Sequence, residues 1–313
     1  DSLRERYQEV RSKPLTWPEQ TPLLKNLRWL QTQLGLSELE VGILLLCVLE
    51  RHYIHLAQAM EATGTFSNLR LYSALATLLD APVAQVAKAI AVDGRLARTA
   101  LVHMDEDGIF LFSAKLELLR GLDEQLLVEQ DNPINIFSDN FVSVPDASLA
   151  AHRFAHLQPK FDHLVHYLSY EIGLRTAGVN ILIYGPPGTG KTEFSRTLAK
   201  AVGAELFEIS FAYRNGQRIE GATRLSAYAL SQQVLARRGS SLIVFDEIED
   251  IEAPGSDDDD MLFLSRERRP SRKGWFNRLL ETNAVPAIWI SNRIRHIDSA
   301  HLRRFSYHLH IDT

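Results

Sequence analysis

Between Val179 and Val202 the chain passes from an apolar run to a glycine-rich loop and then to a helical repeat, and that order leaves few folds open. Val179-Asn180-Ile181-Leu182-Ile183-Tyr184 is apolar and β-branched, as a buried strand is. Gly185-Pro186-Pro187-Gly188-Thr189-Gly190-Lys191-Thr192 follows, a complete G-x-x-x-x-G-K-T pattern. From Glu193 onward, Phe194, Leu198 and Ala201 recur on one side of a helix. Glycines let such a loop wrap phosphate oxygens, so that its N–H groups and the helix N-terminus point at negative charge. In this pattern Lys191 reaches the β- and γ-phosphates of a nucleotide, and the Thr192 hydroxyl holds Mg²⁺. With a strand before it and a helix after it, the phosphate-binding reading outweighs that of a glycine-rich turn with no ligand.

A second motif supports the first. Ser241-Leu242-Ile243-Val244-Phe245-Asp246-Glu247 is another short apolar strand, ending in two acids. By themselves, Asp246 and Glu247 read as a solvated pair closing a strand. Beside a phosphate loop they gain a role, because open α/β sheets bind ligands at the C-terminal ends of their strands. Asp246 then helps to hold Mg²⁺, directly or through water, and Glu247 orients or deprotonates the attacking water.

These two motifs, followed by Ala287-Ile288-Trp289-Ile290-Ser291-Asn292 and then Asp298-Ser299-Ala300-His301-Leu302-Arg303-Arg304-Phe305, resemble the AAA ATPases of the AAA+ superfamily. The resemblance covers about residues 150–313, and we read the chain as a prokaryotic-type member. It implies a three-layer α/β P-loop NTPase fold with a parallel five-stranded sheet. It also implies a ring-forming motor, usually a homo-hexamer, that hydrolyses ATP to ADP and phosphate with Mg²⁺ and remodels a protein partner. The nucleotide-binding set becomes Gly185, Pro186, Pro187, Gly188, Thr189, Gly190, Lys191, Thr192 and Glu193, with Thr192 and Asp246 on the metal. The family pattern gives Asn292 the positioning of the lytic water. It makes Arg303 or Arg304 a finger reaching into a neighbouring subunit's site, Arg304 being the stronger candidate; such a finger supplies charge that the isolated site lacks. Without the flanking motifs, Asn292 reads as a strand-end turn residue and the arginines as a solvated basic pair.

The sequence departs from that pattern in two places. Many AAA unfoldases carry an aromatic-hydrophobic-Gly triplet after the second strand, here Leu206-Phe207-Glu208-Ile209-Ser210, yet the matching place reads Ile219-Glu220-Gly221. Phe211 and Tyr213 lie nearby but shifted, which puts threading of an unfolded chain in doubt and leaves hydrolysis untouched. The chain also stops just after its expected last strand, Ser306-Tyr307-His308-Leu309-His310-Ile311, before the family's helical lid, and it starts at Asp1. The expectation is a fragment that is monomeric and nearly inactive by itself.

Composition is that of an ordinary globular protein: 45% hydrophobic, 23% charged, net charge −5 over 313 residues, enough for two domains. The single cysteine, Cys47, cannot form an internal disulfide, so a reducing, cytoplasmic setting is expected. Its apolar run, Val41 to Leu49, is too short to span a bilayer and is closed by Glu50-Arg51, which makes it a core helix. No membrane association is expected.

Residues 1–130 read as a separate, mainly helical domain. Ser37 with Glu40 marks a helix start continuing towards Met60; Asn68 to Leu79 and Ala81 to Val92 give two more. Leu101 to Met104 and Ile109 to Phe112, around an Asp-Gly turn, read as a β-hairpin. Three helices and a hairpin resemble a winged-helix domain, a fold that often binds DNA. Its charge argues otherwise: 13 Lys and Arg against 17 Asp and Glu give net −4, the third helix has one cation, Lys88, and the wing tip is Asp105-Glu106-Asp107. Such a surface repels phosphates, so a protein-binding or structural role is expected and nucleic acid is not.

Residues 131–150 read as a linker and 151–313 as the AAA large α/β subdomain. A second irregular stretch carries Asp257-Asp258-Asp259-Asp260 and then Arg266-Glu267-Arg268-Arg269, either a mobile surface loop or a substrate contact near the family's second pore loop. His152, His156, His163 and His166 lack the supporting ligands of a zinc site and read as helix surface. Remodelling of a protein partner leads; a DNA-associated helper ATPase and a nucleotide-switched scaffold with little turnover remain as alternatives.

Overall fold

The computed structural model describes residues 21–106, 108–145, 151–214, 216–219, 221–252 and 272–312. The runs Asp257–Asp260 and Arg266–Arg269, together with Asp107, Glu220 and the side chain of His152, lie outside the described residues.

The carboxy-terminal half is built on a six-stranded sheet. Its strands are β3 (Phe141–Ser143), β4 (Asn180–Tyr184), β5 (Glu205–Ile209), β6 (Ser241–Phe245), β7 (Ala287–Ser291) and β8 (Tyr307–His310), in the order β3-β5-β6-β7-β4-β8. The last five are parallel, as the sequence predicts. The sixth, β3, pairs antiparallel with β5, Phe141 opposite Ile209. It comes from the stretch read as a linker, and its pairing covers the free edge of β5, which would otherwise expose unpaired backbone groups.

Alternation sorts the strand residues between two buried clusters. Ile181, Ile183, Leu206, Leu242, Val244, Ile288, Ile290 and Leu309 face one layer. That layer is α9 (Gln158–Leu174) and α10 (Lys191–Val202), through Phe161, Leu164, Leu168, Phe194 and Leu198. Leu182, Phe207, Ile243, Phe245 and Trp289 face the other, with α11 (Gly221–Leu235) and α13 (Arg272–Thr282). Helices on both faces of a parallel sheet make the three layers expected.

The amino-terminal helices pack on one another and also join the second cluster. They are α1 (Pro22–Leu34), α2 (Glu38–His52), α3 (Ile54–Ala62), α4 (Asn68–Leu78), α5 (Val83–Ala89) and the short α6 (Arg95–Arg98). An aromatic row runs from α1 into the sheet: Trp29 to Phe137 at 6.4 Å, Phe137 stacked on Phe141 at 5.7 Å, Phe141 edge-on to Phe207 at 6.0 Å. Each such side chain, fully buried, contributes roughly 1.5–3 kcal/mol. Gln33 Nε2 donates to Val234 O at 3.2 Å and Arg237 to Thr32 O at 3.3 Å, tying α1 to the end of α11.

Two local expectations need correction. The helix predicted from Ser37 to Met60 starts with the expected capping box but breaks at Tyr53, which is extended (φ −112°, ψ 99°) between α2 and α3. The hairpin partner of β1 (Val102–Met104) is β2 (Leu116–Leu118), not Ile109–Phe112. Phe110 makes one bridge to Phe66, and Phe112 begins a helical turn, α7 (Phe112–Lys115). Phe112 is buried edge-on to Phe66 at 6.0 Å, and Lys115 Nζ donates to Gly108 O at 2.6 Å. Core packing and that bond close the excursion, so the Asp-Gly pair does not set the pairing. After β2, α8 (Leu122–Leu127) packs on α1. Cys47 is buried in α2 and its thiol is pushed up to about 12 by that burial, as a packing residue's is.

Candidate active site

Strands β4, β7 and β6 lie side by side, so the loops leaving their C-terminal ends meet. Gly185, the first residue of the phosphate loop, has φ +153°, and a Cβ there would stand 1.8 Å from Ile311 O. Only glycine fits where the β8 backbone passes, with Ile311 N donating to Tyr184 O at 2.9 Å. Gly190 (φ +83°) turns the loop into α10, and Thr189 Oγ1 donates to Pro186 O at 3.0 Å to brace it. Below it, Phe154 and Phe161 stand edge-on to Phe194 at 5.2 and 5.6 Å.

Lys191 is 5% exposed, and its Nζ donates to Gly185 O at 2.8 Å and to Pro186 O at 2.7 Å. Burial lowers its pKa, while the Asp246 and Glu249 carboxylates raise it. Thr192 Oγ1 donates to Asp246 Oδ2 at 2.8 Å, and Glu247 N to Asp246 Oδ1 at 2.8 Å. A hydroxyl and a carboxylate at that separation are the hard oxygen donors that suit Mg²⁺. Glu247 is exposed, in the left-handed region at φ +54°, and 3.8 Å from the Arg218 guanidinium. Glu193 pairs instead with Arg196, one turn on, at 3.5 Å.

Asn292 follows the middle strand of the three. Gly185 N donates to Ser291 O at 3.2 Å and Ile248 N to Ile290 O at 3.1 Å, so β7 holds both neighbouring loops. The Asn292 side chain is half-buried and makes no hydrogen bond among the described residues. Arg303 and Arg304 are not brought to this place. They precede β8 and so lie at the opposite end of the sheet from Lys191. Arg304 Nε donates to Glu281 Oε1 at 2.6 Å and its Nη1 to Ala300 O at 2.5 Å, whereas Arg303 is exposed.

Three residues that the sequence reading missed complete the surroundings. Arg224 of α11 is 1% exposed, lies 4.4 Å from the Phe245 ring, and donates from Nη2 to Asp246 O at 2.6 Å and from Nη1 to Glu247 O at 3.5 Å. Its signal was a cation on the buried stripe Arg224, Tyr228, Ser231, Leu235. Glu208 of β5 points to the α10 side, its carboxyl pushed up by burial and by Asp246 and drawn down by Arg196 and Arg224. Glu249, in the turn α12 (Glu249–Glu252), accepts from Ser291 Oγ and Arg293 N, both at 2.8 Å, and from Asn292 N.

The segment after β5 folds back on itself, and its Arg218 guanidinium is the group 3.8 Å from Glu247. Ala212 bridges Arg218, Ile219 is buried, and Phe211 is exposed. Arg120 stacks 4.0 Å from the Tyr213 ring and donates to Gln217 Oε1 at 3.1 Å; Arg214 donates to Ser138 Oγ at 2.5 Å and to Asp139 Oδ1 at 3.3 Å through its backbone N–H. Of the histidines, His163 lies 5.5 Å from Tyr307 and His166 Nδ1 is 2.7 Å from Asp162 O. Among the described residues no helix is long and apolar enough to cross a membrane.

Residues 181–313 match the family model described as ATPase family associated with various cellular activities (AAA). ATPase family gene 2 protein homolog B of Mus musculus is 38% identical over 88 residues, 26% of this chain and 12% of that protein. Spastin of Anopheles gambiae is 27% identical over 150 residues, 44% of this chain and 17% of that protein. The matched stretch therefore spans less than a fifth of either relative's length. Among solved structures, the FIGL-1 AAA domain in complex with ADP is 20% identical, with a TM-score of 0.37 over 59% of this chain and 63% of that one. The Trip13-containing HORMA:CdnC:Trip13 complex of E. coli MS115-1 gives 18% identity and a TM-score of 0.37, covering 56% of this chain and 71% of that one.

Proposed function

We propose, from the match of residues 181–313 to the AAA family model, that the chain binds ATP, hydrolyses it to ADP and phosphate, and uses the turnover to remodel a protein partner. The observation that carries this reading is the meeting of Lys191, Thr192, Asp246, Glu247 and Asn292 at the ends of three adjacent strands. The reaction is in-line attack of water on the γ-phosphate. Lys191 Nζ leaves its two carbonyls for the phosphate oxygens and neutralises charge as it develops. Asn292 holds the water and a Glu247 carboxylate oxygen takes its proton. Thr192 and Asp246 hold Mg²⁺, which when bound withdraws charge from the β- and γ-phosphates. Gly185 to Glu193 supply the cradle, in which Gly188, Gly190 and the amides of the first turn of α10 face phosphate.

Arg303 is our candidate for a finger acting on a neighbouring subunit, because Arg304 is held by Glu281. That role implies an oligomer, a hexamer by the family's habit. The amino-terminal helices with the β1–β2 pair are a winged-helix-like unit that handles protein, given its net −4 charge, and not DNA. Fastening of the Phe211–Ile219 segment to Arg120, Ser138 and Asp139 supports partner handling through that unit over threading. The single buried, unpaired thiol supports a reducing, cytoplasmic setting. The test is ATP binding and phosphate release by the intact protein. Lys191→Ala removes both on this reading, and unchanged binding in that variant contradicts it.

A further inference from the structure

The turn that presents Asn292 is held by a side chain from another loop. Ser291 is the last residue of β7, opposite Tyr184, and Asn292 and Arg293 follow it beyond the strand. All three direct a donor at one atom, Glu249 Oε1: Ser291 Oγ and Arg293 N at 2.8 Å, and Asn292 N in close contact. Arg293 N also reaches Ser291 Oγ at 3.0 Å, which closes the arrangement. Hydrogen bonds to an ionised carboxylate are about twice as strong as neutral ones and fix geometry more tightly. The other oxygen, Oε2, is buried without a hydrogen-bond partner among the described residues, so the hydrogen bonds this carboxylate accepts there all come from this one turn.

Glu249 lies two residues after Glu247, and Ile248 between them is pinned to β7 by its bond to Ile290 O. The acid that takes the water's proton and the amide that holds the water are thus joined through one short segment. We propose that Glu249 is a positioning residue for ATP hydrolysis, fixing the Ser291–Arg293 turn and through it the Asn292 side chain against the attacking water. This rests on the ATPase reading above. In this role Glu249 acts through the Asn292 backbone and not by contact with the reacting atoms.

The prediction separates binding from chemistry. Glu249→Ala frees the turn, and since a displacement of about 1 Å in a catalytic group costs up to about a hundredfold in rate, kcat falls by at least about tenfold. KM and the dissociation constant for ATP stay within about threefold, because the phosphate cradle is untouched. Glu249→Gln keeps an acceptor oxygen for the same three donors and recovers most of the lost rate. In an Asn292→Ala background, Glu249→Ala costs little more, because both changes act on one group. Hydrogen exchange read at the Asn292 and Arg293 amides should quicken in Glu249→Ala and stay near wild type in Glu249→Gln.

Steady-state ATPase assays, calorimetry with ATP and exchange mass spectrometry on the intact protein decide the matter. A wild-type protein that binds ATP but releases no phosphate sinks the ATPase reading itself. A hydrolysing wild type whose Glu249→Ala variant keeps its kcat, or whose two amides exchange no faster in that variant, overturns the role of Glu249 and leaves the ATPase reading standing. Equal losses in kcat and ATP affinity also overturn it, because they mark a general structural defect.

Discussion

Thr192 Oγ1 donates to Asp246 Oδ2 across 2.8 Å, and this single bond joins the phosphate loop to the acidic end of β6. The two oxygens come from motifs 54 positions apart in the chain. Their closeness suits a hard divalent cation, which keeps several waters and needs only one or two protein oxygens beside the phosphates. Thr192→Val and Asp246→Asn should each weaken ATP binding in the presence of Mg²⁺ by about 10- to 100-fold. In excess chelator the same variants should bind ATP no more weakly than wild type. Calorimetric titrations with and without Mg²⁺ check this; equal losses in both conditions would remove the metal from the account.

Arg224 holds the carbonyls of both acids from below, which explains how Glu247 keeps a left-handed backbone that costs an ordinary residue roughly 1–2 kcal/mol. Arg224→Met strands those carbonyls, a penalty of about 1–3 kcal/mol, partly offset because a buried cation no longer has to be desolvated. Urea unfolding should show that modest loss. Turnover should fall by about tenfold or more, since the Glu247 carboxylate is no longer aimed. A stability loss with unchanged kcat in single-turnover assays would show that the guanidinium only fills space.

Much of this was legible from order and spacing. The phosphate loop declares itself because backbone wrapping needs glycines at set positions, as the Gly185 contact with Ile311 O shows. Strands β4, β6 and β7 declare themselves because burial on both faces demands continuous apolar runs. What escaped depends on tertiary partners. β3 is three residues long and is a strand only because β5 offers it an edge. Ile109 to Phe112 has the propensity and turn of a hairpin, yet burial of Phe112 against Phe66 decides otherwise. Glu208 and Glu249 carry no local pattern for chemistry, and Arg224 shows only as a cation on a buried helical stripe; the partners that give them roles lie in other strands and loops.

Glu208 gives a pH-dependent prediction. Its carboxyl is pushed above the ordinary value of 4.5, first by burial and then by Asp246. A carboxyl whose folded pKa is raised favours folding in its protonated form, so that contribution is complete below 4.5 and is lost as pH rises through the folded value. Glu208→Gln keeps the neutral shape at every pH. Its Tm should therefore exceed that of wild type in neutral and mildly alkaline buffer, with the gap closing as pH falls towards 4.5. Thermal unfolding followed by circular dichroism across that range decides it, and a gap that widens in acid would reverse the assignment.

The central claim is that one constellation both binds ATP and cleaves it, with Glu247 needed only for the second. The most direct measurement is a pair of assays on Glu247→Gln in the intact protein: ATP affinity by calorimetry and phosphate release under saturating ATP. The account predicts an affinity within about threefold of wild type and a rate lower by about a hundredfold or more. Phosphate release at the wild-type rate, or loss of ATP binding together with turnover, would contradict it.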